Sequence, residues 1–313
     1  MLSFASERID NEPEHGRGFA SIKPLTLDAL LSAELAEREM LLGQWLPYKG
    51  LALVFAPRGV GKTYFALEVA FAVASGGDFL NWRAPQPRKV LVIDGEMPGH
   101  SLQARWGGIV SNSKRKLPSA DYLRVLAADL CEYGLPDLST EQGQRELQPH
   151  IGDAELLVVD NLSTLARSGK ENESESWASL QMWALRQRRE GRSVLFVHHA
   201  GKGGEQRGTS RREDVMDTVV KLSRPEDYQP SQGCRFLVTF TKARSFAGSD
   251  AQPFEAKLTN GVWETSDAAK SRDERIVELG ATKLSQRDIA REVGCAVGTV
   301  NGVLRRAVQC STL

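Results

Sequence analysis

One short segment, residues 56–63 with the sequence APRGVGKT, constrains the fold of this 313-residue chain more than any other feature. It matches the pattern G-x-x-x-x-G-K-[ST], except that a small alanine, which still permits the turn, replaces the first glycine. An apolar run at residues 51–55 precedes it, and a helical pattern at residues 62–75 follows. This strand–loop–helix order predicts a phosphate-binding loop (P-loop) rather than a chance glycine-rich turn.

The residue types in this segment suit the binding of a nucleoside triphosphate. Glycines at 59 and 61 let consecutive backbone N–H groups curve around a phosphate at a helix N-terminus. The lysine can reach the β- and γ-phosphates, and the threonine hydroxyl can bind Mg²⁺. The predicted binding set for ATP and Mg²⁺ is Ala56, Pro57, Arg58, Gly59, Val60, Gly61, Lys62, Thr63 and Tyr64.

The pattern of strands predicts an α/β fold with a mostly parallel sheet around the P-loop, and the resemblance described below implies that this core is RecA-like. Continuous apolar runs that alternate with helical patterns are typical of a parallel sheet covered on both faces, and here they end at residues 55, 94, 160 and 197. Shorter alternating strands between residues 219 and 264 predict an antiparallel edge extension. The predicted domains are a flexible tail (1–24), the ATPase domain (25–264), a linker (265–272) and a small all-α helix-turn-helix domain (273–313).

Acidic residues at strand ends are candidates for metal binding and for catalysis. Asp160 ends the run LLVVD, the Walker-B pattern, and is expected to hold Mg²⁺ with Thr63, although a strand-end aspartate can also simply cap a turn. Glu96 follows the run KVLVID, whose strand is expected beside the P-loop strand. Glu96 is therefore the candidate base that polarises water, and Asp94 is its competitor.

Two histidines, His198 and His199, end the run SVLFV. Their strand is expected beside the Asp160 strand, so one of them could sense the γ-phosphate. The alternative is a histidine that is solvated or belongs to the core. A metal site is not predicted, because no third ligand is spaced nearby.

The C-terminal segment 284–306 has the spacing of a helix-turn-helix, with Ser285 as N-cap and Gly294 in the turn. Its second helix is expected to face DNA with Thr299 and Asn301 towards bases and Arg305 and Arg306 towards phosphates. The alternative is a three-helix interaction module that never meets DNA.

The order of these motifs resembles that of the RecA-like ATPases of the AAA_25 type, and in particular the RepA-like hexameric replicative helicases of plasmids. The resemblance covers roughly residues 40–260 and is most specific in HHAGKGG and the later RGTS. It implies a homo-oligomeric ring, expected to be hexameric, with ATP at subunit interfaces and single-stranded DNA in the channel. It also supports Glu96 as base, Asp160 as Walker-B acid and His198 or His199 as sensor.

Two further basic groups fit this resemblance. Lys242 and Arg244 stand where DnaB-class helicases and RadA-type recombinases carry a Lys-x-Arg pair that acts on the neighbour's γ-phosphate; the alternative is a solvated charge pair. The basic segment 201–212 is expected to track a DNA backbone, or to be a plain solvent loop, and Arg207 could instead serve the nucleotide. Its candidate residues are Lys202, Arg207, Arg211 and Arg212.

Composition adds few constraints. The formal net charge is zero, so any DNA-binding surface must be local. Four separated cysteines, the lack of an N-terminal apolar segment and the lack of a long apolar run predict a cytoplasmic protein without membrane association. The functional hypothesis is an ATP-hydrolysing DNA motor of a mobile element. The alternatives are an ATP-switched DNA-binding regulator or loader and a recombinase-like repair ATPase.

Overall fold

The computed structural model describes residues 24–35, 37–167, 173–200, 213–225, 227–282 and 284–310. The chain divides into two compact units between Glu37 and Arg38. The first unit contains the short helix α1 (Leu27–Leu31), in which Thr26 is the N-cap and no residue is buried. Because α1 buries no apolar side chain, the compact unit that contains the sheet begins at Arg38 rather than at the predicted residue 25. The predicted tail lies outside the described residues except for residue 24.

One nine-stranded sheet organises the second unit. Its strands are β3 (Leu51–Ala56), β6 (Val90–Asp94), β7 (Leu123–Ala127), β8 (Leu156–Asp160), β9 (Ser193–His199), β10 (Thr218–Ser223), β11 (Arg235–Ala243), β12 (Phe254–Thr259) and β13 (Val262–Asp267). Two small hairpins pair β1 (Met40–Leu42) with β2 (Leu46–Pro47) and β4 (Asp78–Phe79) with β5 (Trp82–Arg83). The sheet order is β13-β12-β11-β10-β3-β9-β8-β6-β7. Neighbours from β10 to β7 are parallel, and β11, β12 and β13 form the predicted antiparallel extension.

Helices cover both faces of the sheet, because its strands are apolar on both sides. Successive residues of β3 enter opposite cores: Val54 packs in the core that contains α2, whereas Leu53 and Phe55 pack in the core that contains α4 and α6. No helix in the described ranges is long and apolar enough to cross a membrane. The helices are α2 (Lys62–Ser75), α3 (Gly99–Asn112), α4 (Glu141–Ile151), α5 (Leu162–Leu165), α6 (Glu173–Arg189), α7 (Ala268–Gly280), α8 (Gln286–Val293) and α9 (Val297–Cys310).

The position of β6 corrects one expectation. β6, which precedes Glu96, does not neighbour the P-loop strand β3, because β9 and β8 lie between them. β9 is buried at six of its seven positions, and a strand apolar on both faces is most stable in the middle of a sheet. The expectation that β9 lies beside β8 is confirmed.

The predicted linker, residues 265–272, is also wrong. β13 continues to Asp267 in register with β12, and α7 begins at the next residue, Ala268. The polar side chains of Thr265 and Ser266 do not prevent pairing, because β13 is an edge strand and its ladder uses backbone groups. No residue therefore lies between the last strand of the sheet and the first of the C-terminal helices.

The helices α7, α8 and α9 enclose a small core of their own, which contains Ile276, Ile289 and Val300. Ser285 caps α8 by accepting a hydrogen bond from the backbone N–H of Asp288 at 3.2 Å. Gly294 ends α8 in the left-handed conformation, with a φ of +67°, which allows the sharp turn into α9. The serine cap and the glycine turn lie where the sequence predicted them, and the helix-turn-helix assignment stays a prediction.

Two glycines on helices test how tightly the core unit is packed. A Cβ on Gly143 of α4 would lie 2.0 Å from the carbonyl oxygen of Asp137, a backbone atom. We expect Gly143→Ala to lower the free energy of unfolding by about 1–3 kcal/mol, measured by urea denaturation. Gly107→Ala on α3 is the matched control, because apart from the neighbouring backbone of its own helix no described heavy atom lies within 4 Å of its Cβ position. The control should be neutral or stabilising by up to ~1 kcal/mol, and equal effects of the two variants would contradict the packing described.

Candidate functional site

The P-loop joins β3 to α2 with a backbone that requires glycine at two positions. Gly59 and Gly61 have φ angles of +77° and +123°, which residues with a side chain rarely adopt. A Cβ on Gly61 would also lie 2.8 Å from Sγ of Cys234. Lys62, at the first position of α2, donates from Nζ to the carbonyl oxygen of Pro57 at 3.0 Å. The amino end of α2 and its lysine therefore lie together at the loop.

A cleft of about 430 Å³ opens beside the P-loop, and we call it the phosphate cleft. The ends of neighbouring strands lie at this cleft. Ala56 at the end of β3 is in register with His199 of β9, and Asp160 of β8 is in register with Asp94 of β6. Burial lowers the pKa of Lys62, while the Asp160 carboxyl acts in the opposite direction. The cleft is lined by Arg58, Gly59, Gly61, Lys62, Thr63, Asp94, Glu96, Met97, Pro98, Arg105, Asp160 and His199.

Asp160 and Thr63 suit a divalent cation. Asp160 is 4% exposed, and its side chain forms a hydrogen bond with Thr63. Its second carboxylate oxygen, Oδ2, is buried and has no hydrogen-bond partner among the described residues. Burial raises the pKa of Asp160 to about 7, so the carboxylate needs a further positive group to stay ionised. A hard cation such as Mg²⁺ takes oxygen ligands of this kind, and Asp160 and Thr63 would hold it.

Asp94 and Glu96 have different roles in the structure. Asp94 is buried, and its Oδ1 accepts hydrogen bonds from the backbone N–H groups of Glu96 at 3.0 Å and Met97 at 2.7 Å. Burial raises its pKa. The Glu96 side chain is 53% exposed and lines the phosphate cleft. Asp94 therefore orders the turn after β6, and Glu96 is the carboxylate available to accept a proton.

The structure distinguishes the two histidines. Adjacent residues of a strand point to opposite faces, and of the pair only His199 lines the phosphate cleft. His199 lies 3.4 Å from Glu96, measured from Nε2 to Oε2, and burial lowers its pKa. His198 is buried on the other side of β9, in register with Phe55. The proposed sensor role therefore fits His199 and does not fit His198.

Lys242 and Arg244 lie away from the phosphate cleft of their own chain. Lys242 pairs with Val219 in the ladder and donates to the backbone carbonyls of Glu213 and Asp214. Arg244 donates to the Asp214 carbonyl at 2.5 Å. Burial is the largest cause that lowers the pKa of Lys242, and the positive charge of the nearby Arg244 lowers it further. Both cations lie at the end of the sheet where β10 begins, next to the start of β3. The P-loop lies at the opposite end of β3.

The residues predicted to contact DNA are only partly described. Lys202, Arg207, Arg211 and Arg212 lie outside the described residues. On α9, Arg305 and Arg306 are exposed, whereas Thr299 and Asn301, which were expected to face bases, are both half-buried. Arg306 forms an ion pair with Asp273 of α7 at 3.0 Å.

Three side chains at the site were not among the sequence candidates. Arg105 of α3 lines the phosphate cleft and lies 5.8 Å from the centre of the Tyr64 ring. Arg224 donates to the Gly59 carbonyl at 2.5 Å, so it supports the P-loop from the end of β10. Asn161 contacts both Glu96 and His199. Of the three, Asn161 had a signal in the sequence, since it directly follows the strand-end acid at a helix start.

Asp160 should make the nucleotide-free protein less stable as the pH rises. Its pKa is raised in the folded state, so its contribution to stability is fully present below its ordinary pKa and is lost as the pH rises through about 7. We expect Asp160→Asn to be more stable than the wild type by about 2–4 kcal/mol at pH 8, with a smaller difference at pH 5. Urea unfolding of both proteins without nucleotide at the two pH values measures this. A difference that does not change with pH would contradict the assignment.

Comparison with known protein families agrees with this site. The family model of an AAA domain, AAA_25, matches residues 20–205. The crystal structure of a KaiC-like protein from the hyperthermophilic archaeon Pyrococcus horikoshii OT3 has a TM-score of 0.49 and 13% identity, over 70% of this chain and 90% of that chain. No curated protein matches the sequence. The family match covers more than half of the chain and includes the P-loop and the acidic strand ends, so this protein belongs to the AAA_25 family of P-loop ATPase domains.

Proposed function

We propose that this chain is an ATP-hydrolysing DNA motor of the RepA-like type, a replicative helicase of a mobile element that translocates on single-stranded DNA. In this proposal the subunits form a homo-oligomeric ring, expected to contain six copies. ATP is bound with Mg²⁺ between subunits, and each hydrolysis event moves basic loops along one strand. The observation that carries the proposal is the placement of Lys242 and Arg244 relative to the P-loop.

These two cations have no access to the nucleotide of their own subunit. The backbone N–H of Arg244 donates to Asp217, and that of Asp217 donates to Leu51, so Arg244 is level with the start of β3. The P-loop begins at the other end of β3, about 16 Å away along the strand. An exposed arginine at that distance can stabilise transition-state charge only in a neighbouring subunit, which supports hydrolysis at an interface.

In the proposed hydrolysis, the residues of the phosphate cleft have separate roles. Lys62 and the backbone N–H groups of the P-loop bind the β- and γ-phosphates. Glu96 accepts a proton from a water molecule as the water oxygen bonds to the γ-phosphorus, and the bond to the β-phosphate oxygen breaks to release ADP. Asp160 and Thr63 would hold Mg²⁺, which neutralises phosphate charge when it is bound.

A second candidate is an ATP-switched DNA-binding regulator or loader, in which the three-helix unit supplies the main function. The direct passage from β13 to α7 favours it, because the unit is attached without a linker. Exposed Arg305 and Arg306 on α9 suit contacts with DNA phosphates. In this case ATP binding alters DNA affinity and no strand separation follows.

A forked DNA duplex with a single-stranded tail separates the two candidates. We expect the wild-type chain with ATP and Mg²⁺ to separate the strands, and Lys62→Ala to fold normally but to neither hydrolyse ATP nor unwind. Strand displacement measured by fluorescence, with circular dichroism as the folding control, provides the result. ATP hydrolysis without unwinding, combined with tight binding to one duplex sequence, would favour the regulator. ATP-dependent filaments in electron micrographs would favour a recombinase-like ATPase.

Mixing two inactive variants tests hydrolysis between subunits. Arg244→Ala should bind ATP with near wild-type affinity but turn it over about 10³-fold more slowly, as expected for an arginine that acts in trans. Asp160→Asn should be similarly slow. In an equal mixture about a quarter of the interfaces combine an intact Asp160 with an intact Arg244, so about a quarter of the wild-type rate should return. Arg145→Ala, at an exposed position of α4, is the control and should remain fully active. No recovery on mixing would exclude action in trans.

A further inference from the structure

The side-chain amide of Asn161 contacts two residues that line the phosphate cleft, Glu96 and His199. Its Nδ2 donates a hydrogen bond to the Glu96 carboxylate and lies 3.2 Å from Nε2 of His199. Its Oδ1 accepts the backbone N–H of Ser163 at 2.9 Å, at the start of α5. Glu96 follows β6, Asn161 follows β8 and His199 ends β9. The Asn161 amide therefore connects residues at the ends of three adjacent strands.

The contact with Ser163 determines which way the amide is turned. The oxygen and nitrogen of an asparagine side chain have nearly the same shape, so their assignment depends on their partners. The partner of Oδ1 is a backbone N–H, which can only donate. The NH₂ group must then be the end that faces Glu96 and His199, and it carries two hydrogens, one for each of them.

Glu96 needs such a partner in order to act from a defined position. Its backbone is held by Asp94, but its side chain is 53% exposed. A long carboxylate side chain loses rotamer freedom when it is fixed, and a hydrogen bond to an ionised acceptor offsets that loss. Asn161, which is 1% exposed, supplies this bond from a rigid position.

The same amide selects one form of His199. An amide N–H donor at 3.2 Å favours a lone pair on Nε2 and a hydrogen on Nδ1, whereas the Glu96 carboxylate, 3.4 Å from the same nitrogen, favours a hydrogen on Nε2. Nδ1 is buried and has no hydrogen-bond partner among the described residues. A charged N–H in that position would be costly, and this agrees with the lowered pKa of His199. The neutral ring fits these contacts, and its hydrogen lies on Nδ1 if the amide N–H, rather than the Glu96 carboxylate, determines the tautomer.

We infer that Asn161 is a positioning residue for ATP hydrolysis, whose amide holds the Glu96 carboxylate and the His199 imidazole in one fixed arrangement beside the P-loop. Asn161 is not among the described residues that line the phosphate cleft, so it acts through these two partners and not on the nucleotide. The inference rests on the proposed role of Glu96 as the proton acceptor.

Replacement of Asn161 by aspartate removes the donor with little change of shape. The new carboxylate can still accept the Ser163 N–H, so α5 keeps its cap, but its second oxygen repels Glu96. We expect Asn161→Asp to lower kcat for ATP about 10²-fold while KM changes less than about twofold. In a Glu96→Gln background the same substitution should lower kcat less than about threefold. Equal losses in both backgrounds, or a rise in KM that accounts for the loss, would overturn the inference.

Two variants control this kinetic test. Asn112→Asp makes the same change at an exposed position, the last residue of α3, and should leave kcat and KM as in the wild type. Lys62→Ala reports whether the measured hydrolysis belongs to the P-loop. If Lys62→Ala remains active, or if the wild-type chain hydrolyses no ATP, the proposed function fails. The arrangement around Asn161 is then tested by a measurement that does not require ATP hydrolysis.

That measurement is the tautomer of His199, read from ¹H–¹⁵N correlations of the histidine rings without nucleotide. We expect hydrogen on Nδ1 in the wild type. In Asn161→Asp we expect hydrogen on Nε2, because two carboxylates then face that nitrogen. His150, which is exposed on α4, should be unchanged and serves as the internal reference. Hydrogen on Nε2 in the wild type, or the same tautomer in both proteins, would show that the amide does not hold the ring.

Discussion

The buried carboxylate of Asp160, at the end of a central strand, is the constraint on which the rest of the structure depends. It is 4% exposed, and the end of β6 brings the buried Asp94 into register beside it. Two acidic groups in this environment raise each other's proton affinity unless positive charge is near. Lys62 at the start of α2 provides part of that charge, and the cleft beside it leaves space for more. The P-loop and the acidic strand ends therefore form one electrostatic unit.

The sequence predicted those parts of the site whose chemistry is local. The P-loop is set by glycines that allow positive φ angles and by the lysine and threonine that follow them, all within eight residues. Asp160 and Glu96 were predicted because each follows an apolar run that could only be a buried strand. The helices α8 and α9 were predicted from a serine cap, a glycine turn and helical spacing, which are again local signals.

What the sequence could not predict depends on the order of the strands. Nothing local indicates that β9 lies between β3 and β8, since the three strands are equally apolar, and so Glu96 was expected closer to the P-loop strand than it is. The choice between His198 and His199 depends on which face of β9 turns towards the cleft. Asn161 acquires its partners only when β6, β8 and β9 are aligned. The missing linker depends on edge-strand pairing, which polar residues such as Thr265 do not signal.

The direct junction of β13 and α7 has a mechanical consequence. A helix of 13 residues is about 20 Å long. Because its first residue directly follows β13, a change of angle at this junction displaces the far end of the helix most. A tilt of about 10° at Asp267 displaces the far end of α7 by about 3 Å, close to the rise of one residue along a strand. Trp263 in the same strand donates a hydrogen bond to Glu68 of α2, at 2.8 Å. The helix that follows the P-loop is thus in direct contact with the strand that leads into α7, so that a rotation of one would bear on the other.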